Sequence, residues 1–270
     1  MASALLALAA GLPMAAHADS TWTAGSCLSN CAETGDAAPN VSYSAYSAAV
    51  NTSSAGAYVS TGSFASSTLA YYGGSGFGVT APSGDAQSPN HAVDNYGYQD
   101  LILLKFDDLV KLTQVKIGWS QYDSDITVLA YTGSTSGVNV ANTITGKTAS
   151  SLTSSGWSLV GSYADLVSGT NKSINSQGLS SSWWIITAYN SQLGGAPTGG
   201  DGTSSGLTRG LGTSYTGYDF VKLYSVTGTT TTRQNVPEPA TLALSAAALL
   251  GVAGVRRQRR QKDSDTPSNS

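Results

Sequence analysis

The sequence has few charged residues, and this scarcity limits the functions that the protein can have. Only 11% of its 270 residues are Asp, Glu, Lys or Arg, against about 25% in typical soluble domains. Glycine, serine and threonine take their place, so the predicted surface is neutral and rich in hydroxyl groups. Residues 19–235 carry 13 acidic and 8 basic residues, a net charge of −5. Because nucleic-acid binding needs a basic surface, we expect no nucleic-acid partner.

The N-terminal residues 1–18 predict a secretory signal peptide. An apolar stretch, ALLALAAGLPMAA, is followed by Ala16, His17 and Ala18, which supply the small-x-small pattern of a cleavage site. We therefore expect signal peptidase to act on the chain and to leave Asp19 as the first residue. A buried N-terminal helix is the alternative interpretation of the same stretch.

Cysteine is nearly absent. The two cysteines, Cys27 and Cys31, have three residues between them, which is enough to close a small disulfide loop. Secretion would place them in an oxidising compartment, where disulfides form and persist. We predict a disulfide between them, because two cysteines and one remaining histidine are too few for a zinc site.

Histidine and glutamate are also scarce, which limits the catalytic arrangements. After signal removal, a histidine-dependent triad would have to use His91. Residues 202–206 (GTSSG) match the spacing of a nucleophile elbow, but that motif needs a preceding strand and a following helix. A carboxylate pair for glycoside hydrolysis would have to consist of aspartates, since residues 19–235 contain a single glutamate, Glu33. We therefore predict a protein that is not an enzyme, and a secreted hydrolase is a further alternative.

Short runs rich in β-branched and aromatic residues are typical of the region from residue 94 to residue 226. Each run is bounded by Gly, Ser, Asp or Asn, the pattern of strands joined by turns. No stretch before residue 240 has a helical period, and residues 19–90 give a weaker strand signal. We therefore predict a mainly β ectodomain over residues 19–226, an antiparallel β-sandwich of the jelly-roll or galactose-binding kind. The runs are 101–106 (LILLKF), 112–119 (LTQVKIGW), 125–131 (DITVLAY), 157–163 (WSLVGSY), 183–189 (WWIITAY) and 220–226 (FVKLYSV).

Asp123 and Asp125 are the candidate metal ligands. They lie two residues apart at the start of a predicted strand, in the run YDSDITV. Short acidic loops of this kind supply oxygen ligands to Ca²⁺. The same side chains can instead cap the turn by accepting backbone N–H groups. A structural calcium ion is the one cofactor that the sequence suggests.

The C-terminal region has a three-part segment and a polar tail after a polar linker at residues 227–235. A Val-Pro-Glu-Pro motif precedes an apolar run of 16 residues at 240–255, and the arginine cluster at 256–260 and a polar tail at 261–270 follow. The run predicts a short membrane helix, since a full span needs about 20 residues. The arginines would keep the C-terminus in the cytoplasm and leave the body outside. The residues of the motif and the cluster are Val236, Pro237, Glu238, Pro239, Arg256, Arg257, Arg259 and Arg260.

Together these three parts resemble the PEP-CTERM sorting signal of Gram-negative bacteria. The resemblance implies a substrate of exosortase, a membrane transpeptidase-like cysteine enzyme, in bacteria that often make exopolysaccharide. Residues 88–226, with the phrases HAVDNYGYQDLILLKFDDLVKLTQVKIGWSQYDSDITVLAYTG and YDFVKLYSVTG, are similar to a family of exosortase-dependent surface proteins. That family implies a surface role and no catalytic residues.

The functional expectation is a secreted, exosortase-processed protein of the cell surface or extracellular matrix. It would be held briefly in the inner membrane by residues 240–255 and then released to the surface, where exopolysaccharide or biofilm is the expected partner. A carbohydrate-binding module is the first alternative, because five tryptophans and 14 tyrosines can line a sugar-binding face. In the run WWIITAY, at least one of Trp183 and Trp184 must lie in the core.

Overall fold

The computed structural model describes most of the predicted ectodomain. The described residues are 19–25, 27–29, 31, 38–51, 59–60, 62–83, 89–195 and 218–230. The chain divides into two units, Met1–Thr231 and Thr232–Ser270, and the second lies outside the described residues. The signal peptide (1–18), the candidate elbow (202–206), the sorting signal (236–260) and the tail (261–270) therefore lie outside them too.

Antiparallel strands make up most of the described chain. Strands account for 54% of these residues and helix for 10%, which confirms the prediction of a mainly β, antiparallel fold. The jelly-roll and galactose-binding topologies stay predictions. The strands are β1 (Ser20–Thr23), β2 (Val41–Asn51), β3 (Val59–Ser60), β4 (Ala65–Tyr71), β5 (Phe77–Thr80), β6 (Val93–Asp94), β7 (Tyr98–Tyr122), β8 (Ile126–Tyr131), β9 (Trp157–Tyr163), β10 (Asn171–Ser173), β11 (Ser181–Ala188) and β12 (Asp219–Thr230).

The strands join in one hydrogen-bonded path, in the order β1-β12-β5-β4-β2-β7-β11-β8-β9. Strands β10, β3 and β6 attach to β7, β2 and β12. Since β12 also pairs directly with β7, the strands β12, β5, β4, β2 and β7 close a ring. The closure brings the start of β12 beside the end of β7, and this junction holds the candidate site.

Strand β7 is longer than the sequence predicts, because it contains both the LILLKF and the LTQVKIGW runs. Its first part, residues 98–106, pairs with β2 on one side, and residues 101–105 of this part also pair with β11 on the other side. Its second part, residues 110–122, pairs with β12, and residues 114–116 also pair with β10. Asp107 does not break the strand, since its backbone N–H donates to the Asn40 carbonyl at 3.1 Å. One strand therefore serves two sets of neighbours.

The predicted linker at residues 227–235 starts too early. Strand β12 runs to Thr230, which pairs with Val110 of β7. Threonine favours strands because its branched side chain fits a pleated surface, so a polar Thr-rich run continues the sheet while a partner is present. Residues 227–230 thus belong to the sheet.

The two parts of β7 are buried differently, and their sequences show it. In the first part, Ile102 and Leu104 face one core cluster, and Leu101 and Leu103 face another on the opposite side of the sheet. The sequence of a strand that is buried on both faces is a nearly continuous run of apolar residues. In the second part, Val110, Leu112, Val115 and Ile117 are buried and the residues between them are half-buried. Burial therefore alternates on each side of an irregularity between Leu112 and Val115.

Short helical segments cover the second cluster. They are the 3-10 helices Val140–Thr143 and Thr153–Ser155 and the helix α1 (Ala149–Leu152) between them. Val140, Ile144, Ala149 and Leu152 are fully buried there beside Trp157. None of these segments is long enough to leave a 3.6-residue period in the sequence.

Candidate functional site

Three buried aspartates meet where β7, β8 and β12 come together. Asp123 follows β7, Asp125 precedes β8, and Asp219 is the first residue of β12. Each offers a carboxylate oxygen, and these oxygens lie within 4.8 Å of one another. The side chains are only 8%, 0% and 0% exposed, respectively. The structure therefore brings together the two aspartates predicted from the sequence and adds a third.

All three carboxylates accept hydrogen bonds from backbone N–H groups. The Oδ1 of Asp123 accepts from Ser124 at 2.8 Å, and the Oδ1 of Asp125 accepts from Asp165 at 2.8 Å. The Oδ1 of Asp219 accepts from the backbone of Asp125 at 2.9 Å. These bonds tie three chain segments together, so the turn-capping interpretation describes contacts that the structure contains.

Asn95 holds the third aspartate of the cluster, Asp219, in place through hydrogen bonds. Its side-chain nitrogen donates to the Oδ2 of Asp219 and, at 3.0 Å, to the carbonyl of Tyr189. Its Oδ1 accepts from the backbone N–H of Asp219 at 3.0 Å. The backbone of Tyr189 in turn donates to the Asp125 carbonyl at 3.0 Å. Asn95 thus fixes the carboxylate of Asp219, the one aspartate that no local motif marks.

The cluster has the chemistry of a calcium site. Ca²⁺ prefers carboxylate and carbonyl oxygens and takes six to eight of them. Asp123, Asp125 and Asp219 supply the carboxylates, and a bound Ca²⁺ would offset two of the three negative charges that they carry when ionised. Each carboxylate is also engaged by backbone donors, so capping and calcium binding involve the same side chains. Calcium binding stays a prediction.

Sequence reasoning missed Asp219 because it lies 94 residues beyond Asp125. The pairing of β7 with β12 brings it to the site, with Asp219 opposite Tyr122. Two other buried aspartates have different contacts: Asp94 accepts from the backbone N–H of Tyr96, and Asp100 accepts from the Ser47 hydroxyl. No spacing in the sequence separates these structural aspartates from the cluster.

Tyr122 stands out beside the cluster. Its backbone φ is +63°, a left-handed conformation that costs a non-glycine residue about 1 kcal/mol or more. Its side chain is 55% exposed, and its ring packs edge-on against Phe220 at 5.8 Å between centroids. The end of β7 therefore presents an aromatic ring to solvent next to buried acidic groups.

His91, the candidate triad member, packs into an aromatic environment. Its ring stacks on Tyr72, with centroids 4.5 Å apart and planes 19° apart. Burial lowers the pKa of His91 below its ordinary value, and the charge of Lys222 acts in the same direction. The serines of residues 202–206 lie outside the described residues, so a triad around His91 is untested.

The remaining candidates of the body are placed as follows. Cys27 and Cys31 are joined in a disulfide, with Cα atoms 5.6 Å apart. Trp184 is fully buried, and its ring nitrogen donates to the Ser181 carbonyl at 2.9 Å. Trp183 is half-buried, with the Lys105 ammonium 5.4 Å from its ring centroid.

The C-terminal region matches a known family model. Residues 235–260 match the PEP-CTERM protein-sorting motif, and this interval contains the Val-Pro-Glu-Pro residues, the apolar run and the arginines. The chain therefore carries the sorting motif of PEP-CTERM proteins, which supports its place in the exosortase-dependent class. The comparisons with curated proteins and with solved structures gave no match.

The sorting motif indicates where in the cell this PEP-CTERM protein is sent. It implies secretion, processing by exosortase and a place at the cell surface of a Gram-negative bacterium. In the part of the chain that the structure describes, no helix has the length and apolar character needed to span a membrane. The predicted membrane helix at 240–255 falls outside that part and stays a prediction.

Proposed function

We propose that the chain is a non-catalytic structural protein of the extracellular matrix, associated with exopolysaccharide. The observation that carries the proposal is the sorting motif at residues 235–260, which follows a β-structured body. Exosortase would cut the chain near this motif and release the body at the surface. Briefly anchored by residues 240–255, the uncut form would present Val236 to Pro239 outside the bilayer.

The chemistry of the body supports a structural role. Its buried polar side chains hold backbone groups of neighbouring segments in place. Asn175, for example, donates to the carbonyls of Leu112 and Leu179 at 2.9 and 2.8 Å and accepts from the Leu179 backbone at 2.9 Å. The aspartate cluster is used in the same way. Such a body, poor in charged residues and rich in hydroxyl groups, suits a hydrated polysaccharide matrix.

Matrix association is tested by removing the polysaccharide. The processed protein is quantified in the matrix and in the medium of a producing strain and of a strain unable to make exopolysaccharide. The proposal expects processing in both strains and a shift of the protein from matrix to medium in the second. An unchanged matrix fraction would show that the protein is retained by something other than exopolysaccharide.

Tyr122 favours a second candidate function, that of a carbohydrate-binding module. Sugar rings stack on exposed aromatic side chains, and Tyr122 offers such a ring beside Asp123. Tyr71 is a matched control, because it is also exposed and packs edge-on against a phenylalanine, Phe77, at 5.9 Å.

The test of this candidate is retention on beads that carry the purified exopolysaccharide. Retention that Tyr122→Ala abolishes and Tyr71→Ala preserves would establish a binding module. Equal retention of both variants and the wild type would exclude Tyr122 as the contact.

A further inference from the structure

Lys222 of β12 is a buried cation held between aromatic rings. Its side chain is 3% exposed. Its ammonium nitrogen lies 3.9 Å from the ring centroid of Trp119, its cross-strand partner on β7, and 4.8 Å from that of Tyr72. Burial lowers the pKa of Lys222 to about 8, while the charge of Asp94 opposes the shift. The amine therefore stays charged at neutral and acidic pH.

The ring of Tyr72 is shared with a second titratable group, His91, which stacks on it. Burial and the charge of Lys222 both lower the pKa of His91, and a hydrogen bond with its own backbone opposes them. The imidazole is therefore neutral at neutral pH. An ammonium and a neutral imidazole both contact one tyrosine ring, and Asp94 is the acidic group whose charge reaches Lys222.

This cluster holds a turn against the sheet. The Val79 backbone N–H donates to the Ala92 carbonyl at 3.2 Å, and the Ala92 N–H donates to the Pro89 carbonyl at 3.1 Å. A Cβ atom on Gly78 would lie 2.1 Å from the carbonyl oxygen of His91, so only glycine lets the turn approach β5 this closely. The turn leads directly into β6, which pairs with β12.

We propose that Tyr72, His91 and Lys222 form an acid-sensitive clamp that loosens the turn at residues 89–92 from β5 when His91 takes up a proton. Protonation brings a second positive charge against the ring that Lys222 already contacts. Two cations on one tyrosine ring repel each other, and the nearby carboxylate of Asp94 has only one charge to offer. The turn is the movable part, because Lys222 is fixed within β12, where it pairs with Trp119 of β7.

The direction of the pH dependence follows from linkage. In the opened turn, His91 recovers its ordinary pKa of 6.5, so the open form binds the proton more readily than the closed form. The closed form is fully stable above pH 6.5. It loses stability as the pH falls from 6.5 through the lower pKa of the clamped imidazole, and the loss levels off below that value.

The first experiment measures hydrogen exchange of the Val79 and Ala92 amides in the full chain, from about pH 7.5 to about pH 5. After correction for intrinsic exchange, opening should increase by up to about tenfold per pH unit within the window. The increase should vanish in His91→Gln and become smaller in Lys222→Met. Lys116→Met is the matched control, because Lys116 lies over Tyr224 on the same strand pair, 5.8 Å from its centroid.

A second measurement does not depend on the folding of any clamp variant. The imidazole of His91 is titrated by NMR in His17→Gln, which leaves His91 as the single histidine. A pKa below 6.5 supports the clamp. A pKa at or above 6.5 overturns it, and so does the same pH dependence of exchange in the wild type and in His91→Gln.

Discussion

The sorting segment and the β-structured body of this chain differ in how far their function is visible in the sequence. The segment at residues 235–260 works as a continuous stretch, so its family is recognisable from the order of its residues. The body's candidate site combines Asp123, Asp125 and Asp219, which only the folded sheet brings together. A site read as a linear peptide can be found in the sequence, whereas a site built by distant strands needs the structure.

Replacing Pro237, Glu238 and Pro239 by alanine should produce the largest effect, a complete block of processing. The motif lies in a unit separate from the body, so the body should fold and cross the membrane as before. Immunoblots of the membrane and surface fractions should show uncut protein in the membrane alone. Alanine replacement of Thr266, Pro267 and Ser268 in the polar tail is the control and should leave processing intact.

Removing a core side chain should damage the body and leave the sorting motif unaffected. Trp184→Ala should lower the free energy of unfolding by about 3–5 kcal/mol, the usual cost of deleting a buried aromatic side chain. Trp183→Ala, one residue away and half-buried, is the matched control and should cost clearly less. Urea unfolding of the purified proteins measures both. Equal losses of stability in the two variants would contradict the finding that Trp184 is fully buried and Trp183 only half-buried.

Calcium should stabilise the body through the aspartate cluster. At one hundred times its dissociation constant, a ligand adds about 2.7 kcal/mol to stability, so chelation should lower the melting temperature. Asp125→Asn and Asp219→Asn should abolish this difference. Asp107→Asn should preserve it, because the exposed Asp107 carboxylate contacts only the Asn40 side chain, at 3.1 Å, among the bonds described. If the melting temperature is the same with and without the chelator, turn capping is left as the role of the cluster.

The disulfide should give the smallest of these effects. Closing so short a loop removes little chain entropy, and its loss should cost about 2 kcal/mol. Thiol labelling of the surface protein without reductant should find no free cysteine. A Cys27→Ser, Cys31→Ser double variant should melt at the same temperature with and without reductant. Two labelled thiols in the untreated surface protein would refute the cross-link in the cell.

The strands of the body were predictable because their residues favour extended structure locally. The LILLKF and WSLVGSY runs lie in strands, and so do the DITVLAY and WWIITAY runs except for Asp125 and Tyr189. The unbroken apolar character of LILL indicates burial on both faces. What local patterns cannot give is the partner of each strand. The length of β7 and the continuation of β12 to Thr230 both depend on long-range pairing between these two strands.

Only part of the candidate site was predictable, because local sequence patterns do not show which distant segments come together. Asp123 and Asp125 lie close in the sequence, so their spacing suggested a common role. Asp219 joins them through the closure of β12 onto β7, and Asn95 reaches Asp219 from 124 residues away. The left-handed backbone of Tyr122 is likewise a consequence of tertiary contacts, since tyrosine does not favour that conformation.

The central claim, that residues 236–260 are a sorting signal to be removed, is tested most directly by C-terminal peptide mapping of the surface form. The account predicts a new C-terminus near Pro239 and the absence of all peptides from residues 240–270. Surface protein that still carries residues 256–270, in cells with an active exosortase, would contradict it and would identify the segment as a permanent anchor.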